Sequence, residues 1–136
     1  NNIINLLDQL TNCPNIKDEH YKNILNNLSN NHSIYVIDYN NIAIGIGTIF
    51  IEQKIIHSGK CVAHIEDVVI DEEYRNNKLG NLLLNFLINK AKELNCYKVI
   101  LNCNDKIYVI EMAKTEPIMS DISIALLFKI IKCHFL

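Results

Sequence analysis

Residues 71–80 read DEEYRNNKLG, an acidic turn followed by a polar, basic loop that ends in glycine. An apolar segment (HIEDVVI, residues 64–70) precedes this loop, and a long amphipathic segment (residues 79–95) follows it. Strand, loop and helix start in that order make a place for an anion. The first N–H groups of a helix lack internal partners and sit at the positive end of its dipole. Arg75 and Lys78 would add charge, and Gly80 would let the backbone come close to a bulky phosphate. An ordinary strand-to-helix turn with solvated charges satisfies the same spacing.

Other residue types capable of chemistry lie nearby. Glu66 and Asp67 interrupt the apolar strand before the loop. Burying them is costly unless they are paired or used, so they either recognise a cationic or amine group or face water at an edge. His57 and His64 are candidate bases, but no HxH or HExxH spacing supports a metal. Tyr97-Lys98 opens a later strand and is unremarkable by itself. Neither a P-loop nor a Ser-His-Asp motif is present.

These groups need a frame. Residues 2–10 place Ile3, Leu6, Leu7 and Leu10 at helical spacing, and Cys13-Pro14-Asn15 breaks the pattern. A second helix is expected from Asp18, with Tyr21, Ile24, Leu25 and Leu28 inward. Residues 33–39 and 42–52 read as strands joined by Asn40-Asn41, an antiparallel hairpin. Gly45 and Gly47 inside the second strand mark a bulge or a close approach. Residues 53–60 form a polar connection, and residues 61–70 the next strand. Its Val68-Val69-Ile70 end is apolar throughout, as in a strand covered on both faces.

Leu79, Leu82, Leu83, Phe86, Leu87, Ala91 and Leu94 then line one helical face, with Asn95 as the expected cap. Residues 97–103 (YKVILNC) form another strand, so strand, helix and strand imply a parallel pair with a right-handed crossover. Residues 107–113 read as a short helix or a strand. Residues 122–136 are almost wholly apolar and read as a strand, a buried helix or an interface segment.

Composition bounds the class. A chain of 136 residues, 49% hydrophobic and 21% charged, is expected to form a single domain over residues 1–136 with a sizeable core. A net charge of −2 provides no general basic field for nucleic acid. The five cysteines (Cys13, Cys61, Cys96, Cys103, Cys133) are odd in number and include no CxxC pair. Reduced core thiols are therefore expected, rather than a disulfide framework or a zinc site. No stretch reaches the ~20 apolar residues of a membrane span. The expectation is a cytoplasmic protein with no nucleic-acid or membrane partner.

Taken together, HIEDVVIDEEYRNNKLGNLLLNFLINKAKELNCYKVILNC resembles the core of glucosamine-6-phosphate N-acetyltransferases, members of the GNAT superfamily. IEQKIIHSGK is similar to the substrate loop of that family, and LDQLTN to its early helix end. The resemblance spans residues 7–105. It implies an α/β (α+β) fold: a mixed, strongly twisted central sheet flanked by helices, with a β-α-β acetyl-CoA-binding core. It also implies acetyl transfer from acetyl-CoA to the amine of glucosamine 6-phosphate, in a ternary complex, on the way to UDP-N-acetylglucosamine. No metal is implied.

By the same resemblance the CoA pyrophosphate would lie on Arg75, Asn76, Asn77, Lys78, Leu79 and Gly80. Backbone of Glu66, Asp67 and Val68 would pair with pantetheine, the Val68 N–H polarising the thioester carbonyl, and Asn104 would add a backbone contact. Thr11, Lys54, Ile55, Ile56, His57, Glu66, Asp67, Tyr97 and Lys98 would hold the sugar phosphate. The tyrosine that protonates the departing thiolate falls on Tyr108 if about three residues are deleted, whereas Glu111 takes the place if none is.

The sequence departs from the family at several points. Asn76 stands where a glycine is usual, Lys78 where glycine or glutamine is frequent, and no FYEKxGF follows the last core strand. Family members are homodimers that exchange C-terminal elements, but the tail after Met119 diverges, and an N-terminal strand of the family would lie ahead of Asn1. Two other readings stand beside this one: a GNAT enzyme of another small amine, and a catalytically impaired acyl-CoA-binding or dimerisation module.

Overall fold

The computed structural model describes residues 2–103 and 106–111, with side chains through Leu101. Five strands form one sheet in the order β1-β2-β3-β4-β5: β1 (His32–Tyr39), β2 (Ile42–Gln53), β3 (Cys61–Ile70), β4 (Cys96–Cys103) and β5 (Lys106–Glu111). Among the described strands only β3 and β4 run parallel. They are joined by α4 (Leu79–Glu93), which gives the expected strand-helix-strand unit. The remaining helical elements are α1 (Asn2–Asp8), α2 (Asp18–Asn26) and α3, a single turn at Ile56–Gly59. Residues 107–111 belong to β5, so the strand alternative holds there.

The β1–β2 hairpin closes through Asn40 and Asn41, both left-handed, with φ of 52° and 63°. Positive φ at both central residues matches the right-handed twist of the strands, and asparagine tolerates it. Asp38 Oδ1 secures the turn by accepting from the Asn41 amide at 3.1 Å.

Among the described residues each face of the sheet carries one helix. On one face the fully buried Leu83, Leu87 and Ala91 of α4 pack on Ile49, Ala63, Ile65 and Val99. Burying each such leucine contributes roughly 1.5–3 kcal/mol. On the other face Leu6 of α1 meets Val36, Ala43, Ile46 and Val69. Val69 thus faces α1 while Val68 and Ile70 pack toward α4, and the apolar end of β3 is covered on both sides as its sequence implied.

Three inward positions come out differently. Leu10 and Leu94 are exposed because α1 ends at Asp8 and α4 at Glu93, which takes both residues off the helical stripe. Ile24 is exposed and α2 buries no residue, because this nine-residue helix joins neither core cluster. The cap of α4 is Leu94 rather than Asn95, which follows it left-handed at φ 60°, its amide donating to Lys92 O at 3.0 Å.

Candidate functional site

A bulge in β3 organises the site. Thr48 pairs with Glu66 but Ile46 pairs with Val69, so Asp67 and Val68 together stand opposite Gly47. Asp67 takes a left-handed conformation, φ 52°, to accommodate the extra residue. Gly47 is required there by close approach: a Cβ would lie 2.9 Å from Leu87 Cδ1 and 3.5 Å from Val68 Cγ2. The pairing of β3 with β4 also stops at Ile65–Leu101. Backbone at Glu66, Asp67 and Val68 therefore lies just past the point where the two parallel strands cease to pair.

The loop after β3 leads to the start of α4. Asp71 caps a 3-10 turn at Glu72–Tyr74 by accepting from the Glu73 amide at 3.0 Å. Asn76 and Lys78 are left-handed, with φ of 65° and 60°, and turn the chain into α4 without a side-chain cap. The first turn of α4 thus keeps its donors for an outside group. Gly80 is exposed, and among the described residues a Cβ there would find nothing nearer than Ile70 Cγ1 at 3.9 Å. Packing therefore leaves the space over Gly80 open. Asn77 turns inward, donating from Nδ2 to Tyr74 O at 3.1 Å. Arg75 differs from a freely extended cation: its Nε donates to Ile70 O at 3.0 Å and its Nη2 to Gln9 Oε1 at 3.5 Å, which ties the loop to β3 and α1.

The second half of the site is a groove on the sheet face that α1 covers only in part. In β2, Thr48, Phe50 and Glu52 follow Ile46 at two-residue intervals and so share its face. With His32, His64, Glu66 and Asp67 they line an open groove of about 520 Å³. Glu52 is its hub. The carboxylate accepts from Lys54 Nζ through Oε1, while Oε2 lies 2.9 Å from His64 Nε2. Bonding to Lys54, and then to His64, holds the Glu52 carboxyl below the ordinary carboxylate range. The Lys54 ammonium is raised, chiefly by that same bond, with Tyr97 adding a smaller attraction.

Beside Lys54 the chain turns sharply. His57 and Ser58 are both left-handed, with φ of 54° and 59°, a conformation that costs about 1–2 kcal/mol per non-glycine residue. Such strain concentrates at ligand-handling segments. The turn brings the His57 ring within 4.1 Å of the Tyr97 ring, and Lys98 Nζ lies 5.6 Å above Tyr97. Ile55 at the tip is 96% exposed.

The structure thus gathers Lys54, His57, Tyr97 and Lys98 into one cluster, with Glu66 and Asp67 in the adjoining groove. Thr11 sits exposed after α1, its amide donating to Leu7 O at 3.2 Å, and is not among the residues lining the groove. Asn104 and the tail from residue 112 lie outside the described residues, as does the side chain of Tyr108. The β5 backbone pairs Tyr108 with Leu101, the same residue at which pairing with β3 ends. Glu111 pairs with Lys98, three positions away, or about 10 Å along the strand. Sequence reasoning did not single out His32, Thr48, Phe50 or Glu52. The signal was there: polar Thr48 and Glu52 share the parity of His64 and Glu66 across the β2–β3 register. Among the described residues no group of His, Cys, Asp or Glu could hold a metal ion, and no helix is long and apolar enough to cross a membrane.

The comparisons bear on what binds there. The family model for the acetyltransferase (GNAT) family matches residues 3–109. A glucosamine 6-phosphate N-acetyltransferase of Candida albicans is 34% identical over 108 residues, 76% of this chain and 72% of the relative. One from Arabidopsis thaliana is 34% identical over 106 residues, 74% and 71% of the two chains. Among solved structures, a Trypanosoma brucei acetyltransferase superposes with a TM-score of 0.72 at 30% identity, covering 76% of this chain and 75% of its own. A glucosamine-6-phosphate N-acetyltransferase from Arabidopsis thaliana gives 0.67 at 30% identity, covering 82% and 87%. With its bulged β3, its uncapped α4 and a match over most of its length, the chain belongs to the acetyltransferase (GNAT) family.

Proposed function

We propose that the protein transfers the acetyl group of acetyl-CoA to the amine of glucosamine 6-phosphate by direct attack in a ternary complex. The observation that carries this reading is the joining of two complementary halves at one bulge. An uncapped helix end with open space at Gly80 suits a pyrophosphate, and a groove with Glu66 and Asp67 beside Lys54, His57, Tyr97 and Lys98 suits an ammonium and a phosphate. The similar enzymes of Candida and Arabidopsis support the same acceptor.

In this account Arg75 to Gly80 hold the CoA pyrophosphate, and the backbone of Glu66, Asp67 and Val68 aligns pantetheine, with a further backbone contact at Asn104. When bound, acetyl-CoA supplies the acetyl carbon and a thiolate leaving group. The Val68 N–H would polarise the carbonyl oxygen where negative charge develops, a role supported by the position of Val68 at the bulge and past the last β3–β4 pair. Thr11, the Lys54 to His57 loop, Tyr97 and Lys98 hold the sugar phosphate. Tyr108 gives its proton to the thiolate, a role supported by its register at the end of the β3–β4 pairing.

The protein would act in the cytoplasm as a homodimer, supplying N-acetylglucosamine 6-phosphate toward UDP-N-acetylglucosamine. The exposed Ile55 and Ile56 fit burial against a second copy. Isothermal titration should show CoA binding, and a thiol-release assay should respond to glucosamine 6-phosphate. Turnover with other amines but never with this sugar would sink the substrate assignment.

A further inference from the structure

We propose that His64, held in place by Glu52, accepts the proton that the sugar ammonium must lose before it attacks. The inference rests on the acetyl-transfer reading above and assigns a residue that this reading leaves without a role. One proton passes from the ammonium to the imidazole, giving a neutral amine and an imidazolium, which later releases the proton to water. The freed lone pair forms the C–N bond as the C–S bond breaks, and the second amine proton is matched by the one that the thiolate gains.

The geometry selects His64. It lines the same groove as Glu66 and Asp67, and it shares a strand face with Glu66 two residues away, about 7 Å along β3. Those two carboxylates would draw the ammonium into the groove beside the imidazole. The Glu52 carboxylate lies 2.9 Å from His64 Nε2 and is kept ionised by Lys54. An ionised carboxylate can only accept, so Nε2 carries its hydrogen and Nδ1 keeps the lone pair that takes up the proton. Among side chains, imidazole is the base matched to neutral pH.

The surroundings fix the ring. Phe50, its cross-strand neighbour, lies 6.1 Å from it between ring centroids, and His32 sits 6.3 Å beyond on the far side of Phe50. The charged and titratable groups around His64 are thus Glu52 and Lys54 from β2 and its end, Glu66 and Asp67 from β3, and His32 from β1. The register neighbour on β4 is the apolar Ile100.

The test compares wild type with H64Q and E52Q. Loss of a general base costs about a hundredfold or more in kcat near neutral pH. In H64Q that loss should shrink as pH rises and free amine accumulates, and added imidazole should restore part of the rate. CoA affinity by calorimetry should stay at the wild-type value. E52Q should show a smaller loss with the same pH dependence, and it carries the comparison if H64Q fails to bind CoA. Without acetyl-CoA, the His64 ring resonances, assigned by their absence in H64Q, should shift when glucosamine 6-phosphate is added.

A CoA-binding H64Q within threefold of wild type at neutral pH overturns the proposal. So does a loss equal at every pH and deaf to imidazole, or a His64 ring unmoved by the sugar. A wild-type protein that never acetylates this sugar overturns the underlying reading and this proposal with it, whereas an active wild type with an unaltered H64Q overturns the His64 role alone.

Discussion

Replacing Gly80 with alanine separates a glycine kept for packing from one kept for a ligand. Gly80 sits in the first turn of α4, and its added methyl would meet no atom closer than 3.9 Å. Among the described residues no atom opposes the substitution, and alanine is the better helix former by about 0.5–1 kcal/mol. The variant should therefore melt about 2–4 °C higher than wild type. CoA binding should move the other way. If the pyrophosphate rests on the open backbone here, the methyl displaces it from one charge-assisted N–H contact, worth roughly 1.5–3 kcal/mol. Since about 1.4 kcal/mol is tenfold in affinity, the CoA dissociation constant should rise on the order of 10- to 100-fold by calorimetry. A G80A protein that is more stable and binds CoA as tightly as wild type would refute the cradle.

Gly47 on β2 gives the opposite pattern. In G47A the new Cβ would stand 2.9 Å from Leu87 Cδ1 in the fully buried core, so stability in urea should fall by about 1–3 kcal/mol; unchanged unfolding would show that the bulge has room to spare. The buried Cys96 thiol is pushed up to about 11 from 9.0, first by burial and then by the neighbouring Cys61. Its raised value means that stability is fully present below about pH 9 and is lost as pH climbs toward 11, because the unfolded chain ionises first. Two units correspond to about 2–3 kcal/mol, and that alkaline slope should disappear in C96A. Y108F should lower kcat about a hundredfold while leaving CoA binding intact, and unchanged rates would remove Tyr108 as the thiolate's proton donor.

Periodicity carried most of the fold. The β-branched and aromatic run of β1, the asparagine pair that follows it and the apolar stripe of α4 point to one hairpin and one helix, and the strands fall within a residue or two of their expected limits. Helix ends were less legible, because Leu10 and Leu94 keep the stripe's chemistry after the backbone has left the helix. The anion cradle was visible as strand, loop and helix start. The tie of Arg75 to Gln9 was not, since it joins residues 66 apart in sequence. The groove was half visible. His64, Glu66 and Asp67 stand out in an apolar strand, whereas Glu52 and Phe50 acquire meaning only once the β2–β3 register sets Phe50 opposite His64.

The most direct test of acetyl transfer to the sugar amine is a competition read by mass spectrometry. The protein is given acetyl-CoA with equal amounts of glucosamine 6-phosphate, glucosamine and a simple alkylamine. Lys54 and Lys98 predict a demand for the phosphate, and Glu66 and Asp67 predict a demand for the ammonium. Acetyl should therefore appear on glucosamine 6-phosphate far ahead of the other two, with one free thiol released per acetyl transferred. Equal acetylation of all three amines, or acetylation that passes over the sugar phosphate, would contradict the account.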